Sequence, residues 1–109
     1  MLVLFDNGTP RSLARYLIAE HNVTEARARG WDELGNGELL SAAEAAGFEV
    51  LITTDKNLQY QQNLTGRKIA IAVLGQGRWK LLRLHSQKIV SAVSAATPGS
   101  YTEVEIPYE

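Results

Sequence analysis

The sequence contains no cysteine, which excludes disulfides, thiolate zinc sites, iron–sulfur clusters and any thiol nucleophile. Its two histidines, His21 and His85, have no partner at metal-ligand spacing, so they read as structural. Aromatic residues make up only 7% of the chain, and Trp31 and Trp79 fall in loop-to-helix regions. Both read as packing residues, although a nucleic-acid base can stack on an exposed one. No apolar run is long enough to span a bilayer, and Asp6 interrupts the N-terminus before a signal-peptide core forms. These absences predict a cytoplasmic protein with no membrane partner.

Negative charge is also missing from part of the chain. No Asp or Glu occurs between positions 56 and 102, where Lys56, Arg67, Lys68, Arg78, Lys80, Arg83 and Lys88 fall. Acids dominate residues 1–55 and 103–109, so the formal net charge of -1 conceals a basic block between acidic ones. Such a block can set a positive rim beside a negative pocket, as expected of a metal-dependent enzyme acting on a polyanion. Scattered solvated charge is the alternative.

What is present is ordinary in amount: 109 residues with 45% hydrophobic and 21% charged side chains predict one domain over residues 1–109, with a single core. Residues 2–10, LVLFDNGTP, read as a buried strand that delivers Asp6 to a turn. Thr9 and Pro10 signal a helix start, and Leu13, Ala14, Leu17 and Ile18 give residues 10–20 an amphipathic helical stripe. Residues 23–26 form a short, weakly apolar strand suited to a sheet edge.

A glycine-containing loop over 27–37 is held down by Trp31 and Leu34. Asn36 is a candidate cap for a helix over 37–46, and Gly47 suits its end. Residues 49–53 make a third strand ending near Asp55, followed by a polar segment with a short helix or turn anchored by Leu58 and Leu64. KIAIAVL at 68–74 reads as a central strand, 79–96 as the longest helix, and 101–106 as a polar edge strand. Alternation of this kind predicts a three-layer α/β/α sandwich around a mostly parallel sheet of four to five strands.

Three acids then stand at strand ends or helix starts: Asp6, Glu38 and Asp55. In open parallel sheets the carboxyl ends of the strands form the ligand crevice, so these acids are expected to meet there. Oxygen ligands without sulfur suit Mg²⁺ or Mn²⁺, which can orient and activate a water for attack on a phosphodiester. The blander role for each acid is turn former or cap. Asn7, Thr9 and Asn57 flank these acids with further oxygens. A haloacid-dehalogenase signature is excluded by Phe5 and Asn7, and Asp6 has no acidic neighbour as a response-regulator receiver would require.

As a set, the strings LFDNGTP, GWDELGNGELLSAAEAAGFEV and TTDKNLQYQQNLTGRKIA are specific. Over residues up to about Leu74 the chain resembles small bacterial PIN-like proteins, which are similar to the toxin nucleases of toxin–antitoxin pairs. The resemblance implies a PIN-like α/β/α fold in which Asp6, Glu38 and Asp55 are catalytic acids holding Mg²⁺ or Mn²⁺. Where such nucleases carry a fourth acid, this chain has Asn57, which would assist through water in a site one charge poorer.

The implied function is metal-dependent ribonuclease activity, with Lys56, Arg67, Lys68 and Arg78 binding RNA phosphates. An antitoxin protein and a homodimer are the implied partners. The competing expectation is a PIN-like binding module, impaired in catalysis, that acts through a protein partner.

Overall fold

A computed structural model describes residues 1–107. Five strands form one sheet: β1 (Leu2–Phe5), β2 (Asn22–Glu25), β3 (Val50–Thr53), β4 (Ala70–Leu74) and β5 (Tyr101–Val104). Their order is β2-β1-β3-β4-β5, and every adjacent pair is parallel. The apolar runs of the sequence occupy β1, β3 and β4 at the centre, whereas the more polar β2 and β5 lie at the edges. This division follows from burial, since a strand covered on both faces has no side left for polar residues.

Successive side chains point to opposite faces and nucleate two hydrophobic clusters. On one face Val3, Phe5, Val50, Ile52, Ala72 and Leu74 pack against Leu13, Leu17, Leu82, Ile89 and Val93. On the other, Leu4, Leu51, Ile71 and Val73 pack against Leu39, Leu40, Ala43 and Leu58. The second face is covered by α1 (Asn36–Ala45) and α2 (Leu58–Gln61), the first by α3 (Trp79–Leu82), α4 (Ser86–Ser94) and the 3-10 segment Arg11–Tyr16. The result is the expected α/β/α layering, with five strands, all parallel, among the described residues. Each fully buried Leu, Ile or Val contributes about 1.5–3 kcal/mol, so stability is concentrated in the central strands.

Two helices differ from the periodicity reading. In place of an α-helix over 10–20 there is a 3-10 segment at Arg11–Tyr16, and Ile18, assigned to the apolar stripe, is 64% exposed. Thr9 does not cap this segment because its hydroxyl is engaged by Asp6 and the Ile52 carbonyl. The helix expected over 79–96 is interrupted by 3-10 geometry at Arg83–His85. The buried positions Leu82, Ile89 and Val93 keep helical spacing across the break, so hydrophobic periodicity cannot reveal it.

The loop after β2 includes a 3-10 turn at Ala26–Arg29 and is pinned as expected: Trp31 meets Phe48 edge-on at 6.0 Å between ring centroids. Gly47 closes α1 with a φ of 86°, a left-handed conformation that glycine tolerates. Among the described residues, no helix is long and apolar enough to cross a membrane.

Candidate functional site

The order of the strands singles out one place on the carboxyl edge. From β1 the chain crosses outward to β2 and then returns to the other side of β1 with β3. The crevice between the ends of β1 and β3 is therefore the topological switch point, where open α/β sheets bind ligands. Asp6 follows β1 directly, and Asp55 lies two residues beyond β3.

Register then decides which side chains meet. Phe5 pairs with Ile52, so one step further Asp6 stands beside Thr53 on the face covered by α1. Thr53 is fully buried, and its hydroxyl donates to Asp6 Oδ2. The same hydroxyl accepts the Asp55 backbone N–H at 3.1 Å. Asp6 Oδ1 accepts the Gly8 N–H at 3.1 Å and the Thr9 hydroxyl at 2.8 Å, and Thr9 Oγ1 also lies 2.9 Å from the Ile52 carbonyl. One buried hydroxyl on each side thus fixes the Asp6 carboxylate, and Thr53 couples it to the Asp55 backbone.

Asp55 is held differently. Its Oδ1 accepts the Asn57 backbone N–H at 2.9 Å, an Asx turn leading into α2. Its Oδ2 accepts Asn36 Nδ2 at 2.9 Å, and the same Nδ2 approaches Gln61 Oε1 at 3.4 Å. Asn36 opens α1 over this end of the sheet, so its side chain is directed into the site and does not cap its own helix. Glu38, the third acid, is exposed and accepts the Gly35 backbone N–H at 3.2 Å, closing the start of α1. Asn7 donates to the Asp32 carbonyl at 2.7 Å, which ties the β1 turn to the loop before α1.

The site brings together Asp6, Asp55, Thr53, Thr9 and Asn36. Among the described residues, no group of three or more His, Cys, Asp or Glu side chains is placed to hold a metal ion. Two hydrogen-bonded carboxylates with neutral amide and hydroxyl neighbours do match the donor set of a largely hydrated Mg²⁺ or Mn²⁺, which uses one or two protein carboxylates and keeps several waters. Neither Asp6 nor Asp55 enters the ion pairs among the described residues, which are Arg11 with Glu25 at 3.3 Å and Arg67 with Glu44 at 2.6 Å. Among the described residues, their negative charge has no cationic partner.

The basic residues divide between two edges. Lys56 and Arg78 are exposed and follow β3 and β4, on the carboxyl edge with the acids. Arg67 and Lys68 precede β4 and so lie at the amino edge, across the length of the strand. Arg67 is engaged there by Glu44 and by the Ser41 hydroxyl at 3.2 Å. Burial raises the Glu44 carboxyl, but the Arg67 guanidinium and the backbone N–H groups of Lys68 and Ile69 outweigh it and hold the carboxyl below its ordinary value. The structure therefore does not bring Arg67 and Lys68 to the acids.

Thr53 and Asn36 are the members that sequence reading passed over as site residues. The signal for Thr53 was its place at the end of an apolar strand; for Asn36 the sequence offered only a cap position, its Asp55 partner being set by the fold. Compared with protein-family models, curated proteins and solved structures, the chain matches none.

Proposed function

We propose that this chain is a divalent-metal-dependent ribonuclease of the PIN-like type, acting on a phosphodiester at the β1–β3 crevice, and that it serves as the toxin of a toxin–antitoxin pair. The observation that carries this reading is the placement of Asp6 and Asp55 on adjacent strand ends at the switch point, joined through Thr53 and, among the described residues, unpaired with any cation. Asp6 and Asp55 are the residues that would hold Mg²⁺ or Mn²⁺, with Asn57 contributing through water. When bound, such an ion activates a water and stabilises charge developing on the phosphoryl oxygens.

The remaining roles belong to the chain itself. Thr53, Thr9 and the Gly8 N–H fix the orientation of Asp6, which reduces the rearrangement required when it takes up a ligand. Asn36 does the same for Asp55. Lys56 and Arg78 supply positive charge on the same edge and would hold RNA phosphates.

A second reading, the binding module without catalysis, is favoured by Glu38, which closes its own helix and leaves two carboxylates at the crevice. Calorimetric titration with Mn²⁺ and cleavage of a mixed-sequence RNA, each with the wild type and Asp6→Asn, separate the two. Metal binding and cleavage that both fall in the variant support the nuclease. Absence of metal binding, with no difference between the two proteins, supports the module.

A further inference from the structure

The basic half of the carboxyl edge continues past Arg78 into a surface with its own character. An open cavity of about 520 Å³ is lined by Arg78, Trp79, Lys80 and Leu81. Trp79 is half-buried, and beside it lies Tyr16, 38% exposed, with ring centroids 6.0 Å apart and planes inclined at 38°. Arg78 and Lys80 are both exposed, as is Arg15 next to Tyr16. No acid lines this cavity, and the sequence has none between positions 56 and 102.

The surface adjoins the crevice directly. Gly77, just before Arg78, packs so closely on the neighbouring turns that a methyl group there would stand 3.3 Å from the Gly8 carbonyl and 3.5 Å from Thr54 Cγ2. Gly8 donates its N–H to the Asp6 carboxylate, and Thr54 immediately precedes Asp55. Arg78 and the aromatic pair therefore lie next to the turns that carry the acids, on the sheet face away from α1.

We propose that Tyr16 and Trp79 form a stacking subsite for an unpaired base of single-stranded RNA, with Arg78 and Lys80 holding the phosphates on either side of it. The inference rests on the ribonuclease reading for the identity of the polymer. Cationic side chains beside exposed aromatic ones are the means by which single strands are held without sequence readout: the charges track the backbone, and the rings accept any base. A duplex keeps its bases stacked on one another and offers no face to these rings, so the subsite selects for unpaired segments.

The test uses dodecauridylate at low salt with EDTA present, so that the ligand is not consumed. The Trp31→Phe variant leaves Trp79 as the sole tryptophan reporter. Titration is expected to quench its fluorescence. Tyr16→Ala should weaken binding by about 5- to 100-fold, and Arg78→Gln with Lys80→Gln should flatten the log–log salt dependence by about 1.4.

Unquenched Trp79 fluorescence at saturation overturns the proposal. So does equal competition by inorganic polyphosphate of matched charge, which would make the surface a polyanion site without base contact, and so does a salt slope unchanged by the double substitution. The two readings fail separately. Quenching without any metal-dependent cleavage leaves the subsite and removes the nuclease, whereas cleavage with an unchanged KM in Tyr16→Ala leaves the nuclease and removes the subsite.

Discussion

The two edges of the sheet treat carboxylates in opposite ways. At the amino edge Glu44 meets a guanidinium and two backbone N–H groups, so its charge is compensated and its geometry ties α1 to the approach to β4. At the carboxyl edge the partners of Asp6 and Asp55 among the described residues are hydroxyls, an amide and backbone N–H groups. Neutral donors orient a carboxylate without cancelling its charge, whereas a guanidinium does both. The contrast separates an acid whose charge is compensated within the fold from two whose charge no cation among the described residues compensates.

The sharpest way to break this contrast is to neutralise each edge in turn. Asp6→Asn and Asp55→Asn are each expected to lower RNA cleavage by at least about 10²-fold, while thermal unfolding shows the fold retained. Glu44→Gln is expected to leave cleavage unchanged. Equal losses of activity from both edges would erase the distinction.

Thr53→Val tests whether orientation at the carboxyl edge matters apart from charge. It keeps shape and removes the hydroxyl that Asp6 and Asp55 share, so cleavage should fall by about 10- to 100-fold, with Thr53→Ser restoring most of it. Stability should fall by about 1–3 kcal/mol, because the Asp55 N–H and Asp6 Oδ2 both lose a partner. Denaturant titration alongside cleavage assays of the two variants checks both.

Smaller effects distinguish the bases. Arg78→Gln is expected to weaken RNA binding several-fold at low salt, whereas Arg67→Gln should leave RNA affinity unchanged and lower the unfolding midpoint through Glu44. Filter binding and thermal melts of the two variants give the comparison directly.

The smallest effect depends on pH. The Glu44 carboxyl is lowered from 4.5 in the folded protein, so its stabilising contribution is complete above the unfolded value and is lost as pH falls through the folded one. The difference in denaturant midpoint between the wild type and Glu44→Gln should therefore shrink below about pH 4.5 and be constant above it.

Much of the architecture was legible because central parallel strands leave an unambiguous trace. The runs at 2–5, 50–53 and 70–74 are apolar at nearly every position, the polar β2 marks an edge, and Gly47 ends α1 as its position suggests. Local sequence was a poorer guide where two backbone geometries bury the same residues, as at Arg11–Tyr16 and Arg83–His85.

The site was half legible. Asp6 and Asp55 announce themselves by ending apolar runs, but Thr53 joins them only through the pairing of Phe5 with Ile52, and Asn36 only through the placement of α1 over that edge. Arg67 and Lys68 were open to correction from topology alone, since residues entering a parallel strand lie opposite those leaving it. Grouping charges along the sequence hid that difference.

The crossovers of the sheet also carry a consequence for how the site comes into being. Asp6 and Thr53 are 47 positions apart, whereas β1 meets β2, and β3 meets β4, across separations of only 20, as in Leu2 with Asn22 and Val50 with Ala70. Loop-closure entropy grows with separation, so of these three pairings the central β1–β3 one bears the greatest ordering cost. Two flanking halves can each gain local contacts before that seam closes, but neither half contains the crevice. A parting confined to the seam would take Asp6 away from Thr53 and Asp55 with the outer pairings intact.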